Sequence, residues 1–133
     1  MKEKYKQVAL YLGWEYISKF GWYNGLSLVC RSDDQLVDYL SLEVLFGAVE
    51  KLEKENTDFG YSWEDEDGLL WNNVGIMFSM FQGKMDFCME RQLDPAKTIS
   101  ERDINYKTLK EDLVEMICET LNYLEKCRLK SLN

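Results

Sequence analysis

Histidine is absent from this chain of 133 residues. That absence removes Ser-His-Asp and Cys-His nucleophilic catalysis, histidine-ligated zinc and imidazole acid–base work. Proline occurs once, at Pro95, and the eight glycines are scattered singly. Neither Gly-x-Gly-x-x-Gly nor a Walker-type loop exists, so nothing points to a dinucleotide or P-loop phosphate site. The four cysteines, Cys30, Cys88, Cys118 and Cys127, form no Cys-x-x-Cys pair. Cys118 and Cys127 share one predicted helix, where nine residues of rise set them about 13 Å apart, too far for a disulfide. No run approaches the roughly 18 uncharged apolar residues that span a bilayer. The cationic start, residues 1–6, is followed by an apolar stretch at 8–12 too short for a signal-peptide core. A cytoplasmic protein with reduced, buried thiols is the expectation.

What remains is a well-stocked globular chain. Hydrophobic residues make up 46% and aromatics 14%, and a domain of this size buries about two thirds of its unfolded surface without metals or disulfides. One domain over residues 1–133 is expected. The 24 acidic and 16 basic side chains give a net charge of -8. Such a balance disfavours direct nucleic-acid binding, which needs cations to displace phosphate counterions. The acidity is concentrated. Residues 1–32 carry five basic and two acidic side chains, and residues 33–67 two basic and twelve acidic. A dense anionic face can mimic a nucleic-acid backbone toward a basic cleft, provided the charges converge; a solubilising surface is the simpler account.

Periodicity sets the elements. Tyr5, Val8, Ala9 and Leu12 recur at helical spacing over residues 3–12, with Gly13 as a left-handed stop. Residues 14–24 are aromatic, and Asn24-Gly25 marks a hairpin turn into a strand at 26–30. Residues 36–40 admit two readings. Either Ser32 and Gln35 form a capping box that starts a helix early, or residues 35–40 are extended and Ser41 caps a helix over 42–55. The second is adopted here. Strands follow at 59–63, 69–81 and 84–90, with an acidic turn at 64–68. In them Val74, Ile76 and Phe78 share one face and Met85, Phe87 and Met89 alternate. Residues 92–103 read as a loop around Pro95. A long helix over 106–129 carries Leu109, Leu113, Met116, Ile117, Leu121 and Leu124 as one stripe. The class is therefore α+β: a small, mainly antiparallel sheet packed by about three helices, in the manner of an alpha-beta-alpha sandwich.

No constellation of residues selects a reaction. Placing Gly68 at the sixth position of a calcium loop puts Trp63 at the first and Val74 at the twelfth, so two ligands fail and no metal site is expected. Asp33, Asp34, Asp38 and Glu43 stand near a helix start, where dipole compensation explains them. A carboxylate-and-metal hydrolase is the remaining enzymatic reading, and no cofactor is implied. The unusual feature is the set of aromatics in or beside loops: Trp14, Trp22, Tyr23, Trp63 and Trp71. Packing in a thin core accounts for them. Partly exposed, they would serve as interface anchors or as stacking platforms beside Arg31 and Lys19. Trp14, Trp22, Tyr23, Arg31, Trp63 and Trp71 are thus the candidate ligand- or partner-binding residues. A protein partner is expected, a membrane is not, and self-association is an open option.

Two segments resemble a family. Leu12-Gly13-Trp14, and Leu45-Phe46-Gly47-Ala48-Val49-Glu50-Lys51-Leu52-Glu53, are similar to the helix-ending Leu/Met-Gly-Trp triplet and the Leu-x-x-Val-Val-Glu-Lys-Ile-Glu helix of small phage and prophage alpha-beta-alpha sandwich proteins. The likeness touches about half the chain and extends to the long helix over 106–124. Where that family often has His-Ser and Trp before the second helix, this chain has Tyr39-Leu40-Ser41-Leu42. The resemblance implies a mobile-element accessory protein and transfers no catalytic residues. A non-enzymatic protein that binds a host or phage macromolecule is the leading expectation. A nucleotide-sequestering protein that counters host defence signalling is the alternative.

Overall fold

Helix α1 (Lys2–Tyr11) buries Tyr5, Val8 and Ala9, the stripe its spacing dictates. Its end is a Schellman turn. Gly13 sits at φ 87°, its N–H reaches Leu10 O and the Trp14 N–H reaches Ala9 O, each at 3.0 Å. The computed structural model describes residues 1–56, 63–64, 68, 70–71, 75–91 and 94–131.

A three-stranded antiparallel sheet follows, ordered β1 (Glu15–Ile17), β2 (Gly21–Asn24) and β3 (Ser27–Cys30). Asn24 pairs with Ser27 across the Asn-Gly turn. Residues 35–40 are a correction: they are not extended. A 3-10 turn (Asp33–Gln35) leads into the short helix α2 (Leu36–Tyr39). The Ser32–Gln35 capping box is formed, and Leu36 and Leu40, one helical turn apart, are both fully buried. Ser41 also caps α3 (Leu42–Glu55), its hydroxyl accepting from the Val44 N–H at 3.3 Å. Both start signals are therefore used in succession. α3 buries Leu45, Ala48, Val49 and Leu52.

The short strands β4 (Trp63–Glu64) and β5 (Leu70–Trp71) pair antiparallel. The rest of the expected 59–63 strand, most of the acidic turn and Val74 lie outside the described residues. A second three-stranded antiparallel sheet comprises β6 (Gly75–Phe81), β7 (Lys84–Arg91) and β8 (Asp94–Asp103). Met85, Phe87 and Met89 all face inward and are fully buried. β8 corrects the expectation of a loop at 92–103. Pro95 stands second in a strand at the sheet's edge, where its missing N–H costs little. Ser100, opposite Phe87, is buried and donates to Glu119 at 2.7 Å.

The last helix, α4 (Leu109–Ser131), lies through the middle. Leu113, Val114, Met116, Ile117, Cys118 and Thr120 are all within 2% of full burial, so its inward surface is wider than the single predicted stripe. α1 meets it through Gln7 and Asn122, which share a 2.9 Å hydrogen bond, and through Lys4, 3.7 Å from Glu115. Arg102 of β8 pairs with both Glu115 and Glu119. α3 packs on the second sheet, with Phe46 and Phe78 in edge contact at 6.3 Å and Phe78 against Phe87 at 5.0 Å. The chain is α+β, antiparallel sheets packed by helices. Among the described residues no helix is long and apolar enough to cross a membrane.

Two predictions follow from α4. Burial pushes the Cys118 thiol from 9.0 up to about 11, so the neutral thiol is the stable form in the fold. Its contribution is complete below pH 9 and is lost as pH climbs from about 9 through 11. Urea midpoints should therefore fall over that window, and less steeply in Cys118→Ala. Thr120 is fully buried and, among the described residues, its hydroxyl has no hydrogen-bond partner. Thr120→Val, which keeps the shape and removes the unmatched donor, should raise unfolding free energy by about 1 kcal/mol in the same assay.

Candidate interaction surface

The first sheet holds two of the six side chains singled out above, Trp22 and Tyr23 on β2, and two more flank it, Trp14 just before β1 and Arg31 just after β3. Trp22 lies on the inner face with Cys30, its register partner, and both are buried. The indole N–H of Trp22 donates to Asp33 Oδ1 at 2.8 Å. The other oxygen of Asp33 lies 3.5 Å from Lys6. Trp14, the residue after the Schellman glycine, is buried as well. These two tryptophans are core residues, and the ring of Tyr16 closes over Trp22 with centroids 5.6 Å apart. Burial pushes the Cys30 thiol up, so this cysteine has no thiolate character to offer a ligand.

Arg31 is exposed and Tyr23 is half-buried. Register partners share a face, and the register shift between Trp22 and Tyr23 separates Leu28 from Cys30, so Ile17, Tyr23 and Leu28 fall on the face opposite Trp22. Tyr23 stands directly across from Leu28, with Glu15 beside it on β1. Ile17 is 44% exposed, Leu28 43%, and Phe20, in the β1–β2 turn, 60%. The result is an apolar face that, among the described residues, nothing covers completely. The β1–β2 turn is built at a cost: Lys19 has φ 76°, a left-handed conformation that disfavours a residue with a Cβ by about 1–2 kcal/mol. Gly21 closes the same end. A Cβ there would stand 2.4 Å from Cys30 O and 2.8 Å from Arg31 Cα. The close approach draws Arg31 to the end of the sheet that bears Lys19, Phe20 and Ile17.

The backbones of Trp63 and Trp71 pair across β4 and β5; their side chains lie outside the described residues. Nothing in the sequence singled out Ile17, Phe20 and Leu28 as a set. The readable signal was the alternation of residues 15–17 and 26–30. That alternation alone would set Leu28 with Cys30; the register shift opposite Trp22 and Tyr23, which spacing does not reveal, separates them.

The acidic segment does not gather into one face among its described members. Asp34 pairs with Lys2 at 2.9 Å and Asp33 with Lys6. Glu55 accepts from the Tyr11 hydroxyl at 2.8 Å, and Glu53 accepts from the Phe78 N–H at 3.3 Å. Helix α1 thus supplies counter-charges to part of the acidic segment. A second exposed apolar area, at the β6–β7 hairpin, has a depression of about 400 Å³ lined by Ser79, Phe81, Gln82, Lys84 and Asp86. Its charges are already matched, Lys84 to Glu101 at 3.2 Å and Asp86 to Ser79 at 2.7 Å. Among the described residues no group of three or more Cys, Asp or Glu is arranged to hold a metal ion.

Gly21→Ala should cost roughly 2–3 kcal/mol of stability in urea unfolding, because both its φ of 125° and the contact with Cys30 resist a Cβ. No protein-family model matches the chain, and no curated protein or solved structure matches it either.

Proposed function

We propose that this chain is a non-enzymatic binding protein of the phage- or prophage-accessory kind its sequence resembles, working in the cytoplasm by holding a host or phage protein. The observation that supports this reading is the outer face of the first sheet. Ile17, Phe20 and Leu28 are exposed together beside Tyr23, while the chain's other described aromatic anchors, Trp14 and Trp22, are spent on the core. Contiguous apolar exposure of this sort marks interaction surfaces. A few aromatic and aliphatic anchors carry most of the binding energy in such contacts.

A nucleotide-binding role would have to draw on Tyr23 and Phe20 beside Arg31 and Lys19. Retention of a nucleotide in equilibrium dialysis would favour it.

The direct test is capture of a partner by the tagged full chain and by its Phe20→Ser, Leu28→Ser double variant. Both positions are solvent-exposed, so unfolding free energy should change by no more than about 0.5 kcal/mol per site. Capture should fall about tenfold or more. Equal capture by the two proteins would remove the face from the function. Turnover of a substrate that is lost on a single Asp or Glu replacement would remove the binding-protein reading altogether.

A further inference from the structure

The outer face has a charged end, and its charges are unspent. Of the five basic side chains in residues 1–32, three are taken: Lys2 by Asp34, Lys4 by Glu115 and Lys6 by Asp33. Lys19 and Arg31 are exposed and, among the described residues, neither side chain has an acidic partner. Both stand at the end of the sheet where Gly21 brings Arg31 Cα against β2 and the left-handed Lys19 turn carries Phe20. At the hairpin depression, by contrast, Lys84 and Asp86 are already matched within the chain. A chain of net charge -8 thus has, among its described residues, two cations without an acidic partner beside its apolar sheet face.

We infer that the partner presents an acidic segment with apolar anchors to this face. The apolar side chains of that segment cover Ile17, Tyr23 and Leu28, and its carboxylates meet Lys19 and Arg31. The inference rests on the outer face being the binding surface, and it adds the chemistry of what binds there. A guanidinium and an ammonium at the rim discriminate by charge and speed encounter, while the aliphatic centre supplies the adhesion. A protein segment fits better than a nucleic-acid strand. Two cations are few for a phosphate backbone, and although Tyr23 and Phe20 offer rings, Ile17 on β1 and Leu28 on β3 offer none on which a run of bases could stack.

The test is selection of a displayed random 12-residue peptide library on the folded full chain. Selected peptides are then measured against Phe20→Ser/Leu28→Ser and against Lys19→Glu/Arg31→Glu. The expected result is enrichment of peptides combining Asp or Glu with Leu, Ile or Phe. Their affinity should fall about tenfold or more in each double variant, and several-fold between 50 and 500 mM salt. Binders that need Phe20 and Leu28 but are neutral or basic overturn the inference and leave the face as the binding surface. Binders indifferent to both double variants, or no binders, overturn both. Displacement of the selected peptides from the face by a single-stranded oligonucleotide overturns the choice of a protein partner.

Discussion

Helix α4 is the constraint to which the other elements conform. Its middle buries Leu113, Val114, Met116, Ile117, Cys118 and Thr120, residues pointing in more directions than one neighbour can cover. Burial of each large aliphatic is worth about 1.5–3 kcal/mol, so cover must come from several sides at once. α1, α3 and β8 each supply part of it, and each brings a matching set of inward side chains. The polar groups that α4 cannot avoid near its buried surface are answered from β8: Glu119 by Ser100 and Arg102, and Glu115 again by Arg102. Because the central helix is satisfied from these sides, the outer face of the first sheet is left without a role in the core.

Much of this architecture was legible from periodicity. The α3 boundaries, the Asn24-Gly25 hairpin and the Met85-Phe87-Met89 alternation depend on neighbours two to four residues away, which sequence displays directly. The Leu12-Gly13-Trp14 triplet is equally local, since it is a Schellman stop. That also tempers its value as a sign of kinship: any helix that must end and fold back on an aromatic finds the same solution. The misread elements fail for identifiable reasons. α2 is four residues long, too short for a period to declare itself, and a pair of valid capping signals competed for one start. β8 carries mixed polarity because Ser100 and Arg102 meet Glu119 of α4, while Glu101, between them, pairs with Lys84 of β7.

The interaction surface was less legible than the fold. Large aromatics draw attention in a sequence, yet Trp14 and Trp22 lie inside because a Schellman turn and the Asp33 carboxylate fix them there. Smaller residues, Ile17 and Leu28, form the exposed face. Which side of a short strand turns outward depends on what the core has already filled, and that is a property of the whole chain. Arg31 is exposed. Its position at the Lys19 end depends on the close contact at Gly21.

The pairing of α1 with α4 bears on how the molecule comes into being. Gln7 is held by Asn122, 115 positions later, and the backbone of Lys4 receives the Cys118 thiol across 114. During synthesis the first helix leaves the ribosome long before the surface that will cover Tyr5, Val8 and Ala9 exists. Its contacts with Asp33, Asp34 and Glu55 can form earlier, but docking on α4 begins only once that helix has been made, and closing so long a loop makes that step late.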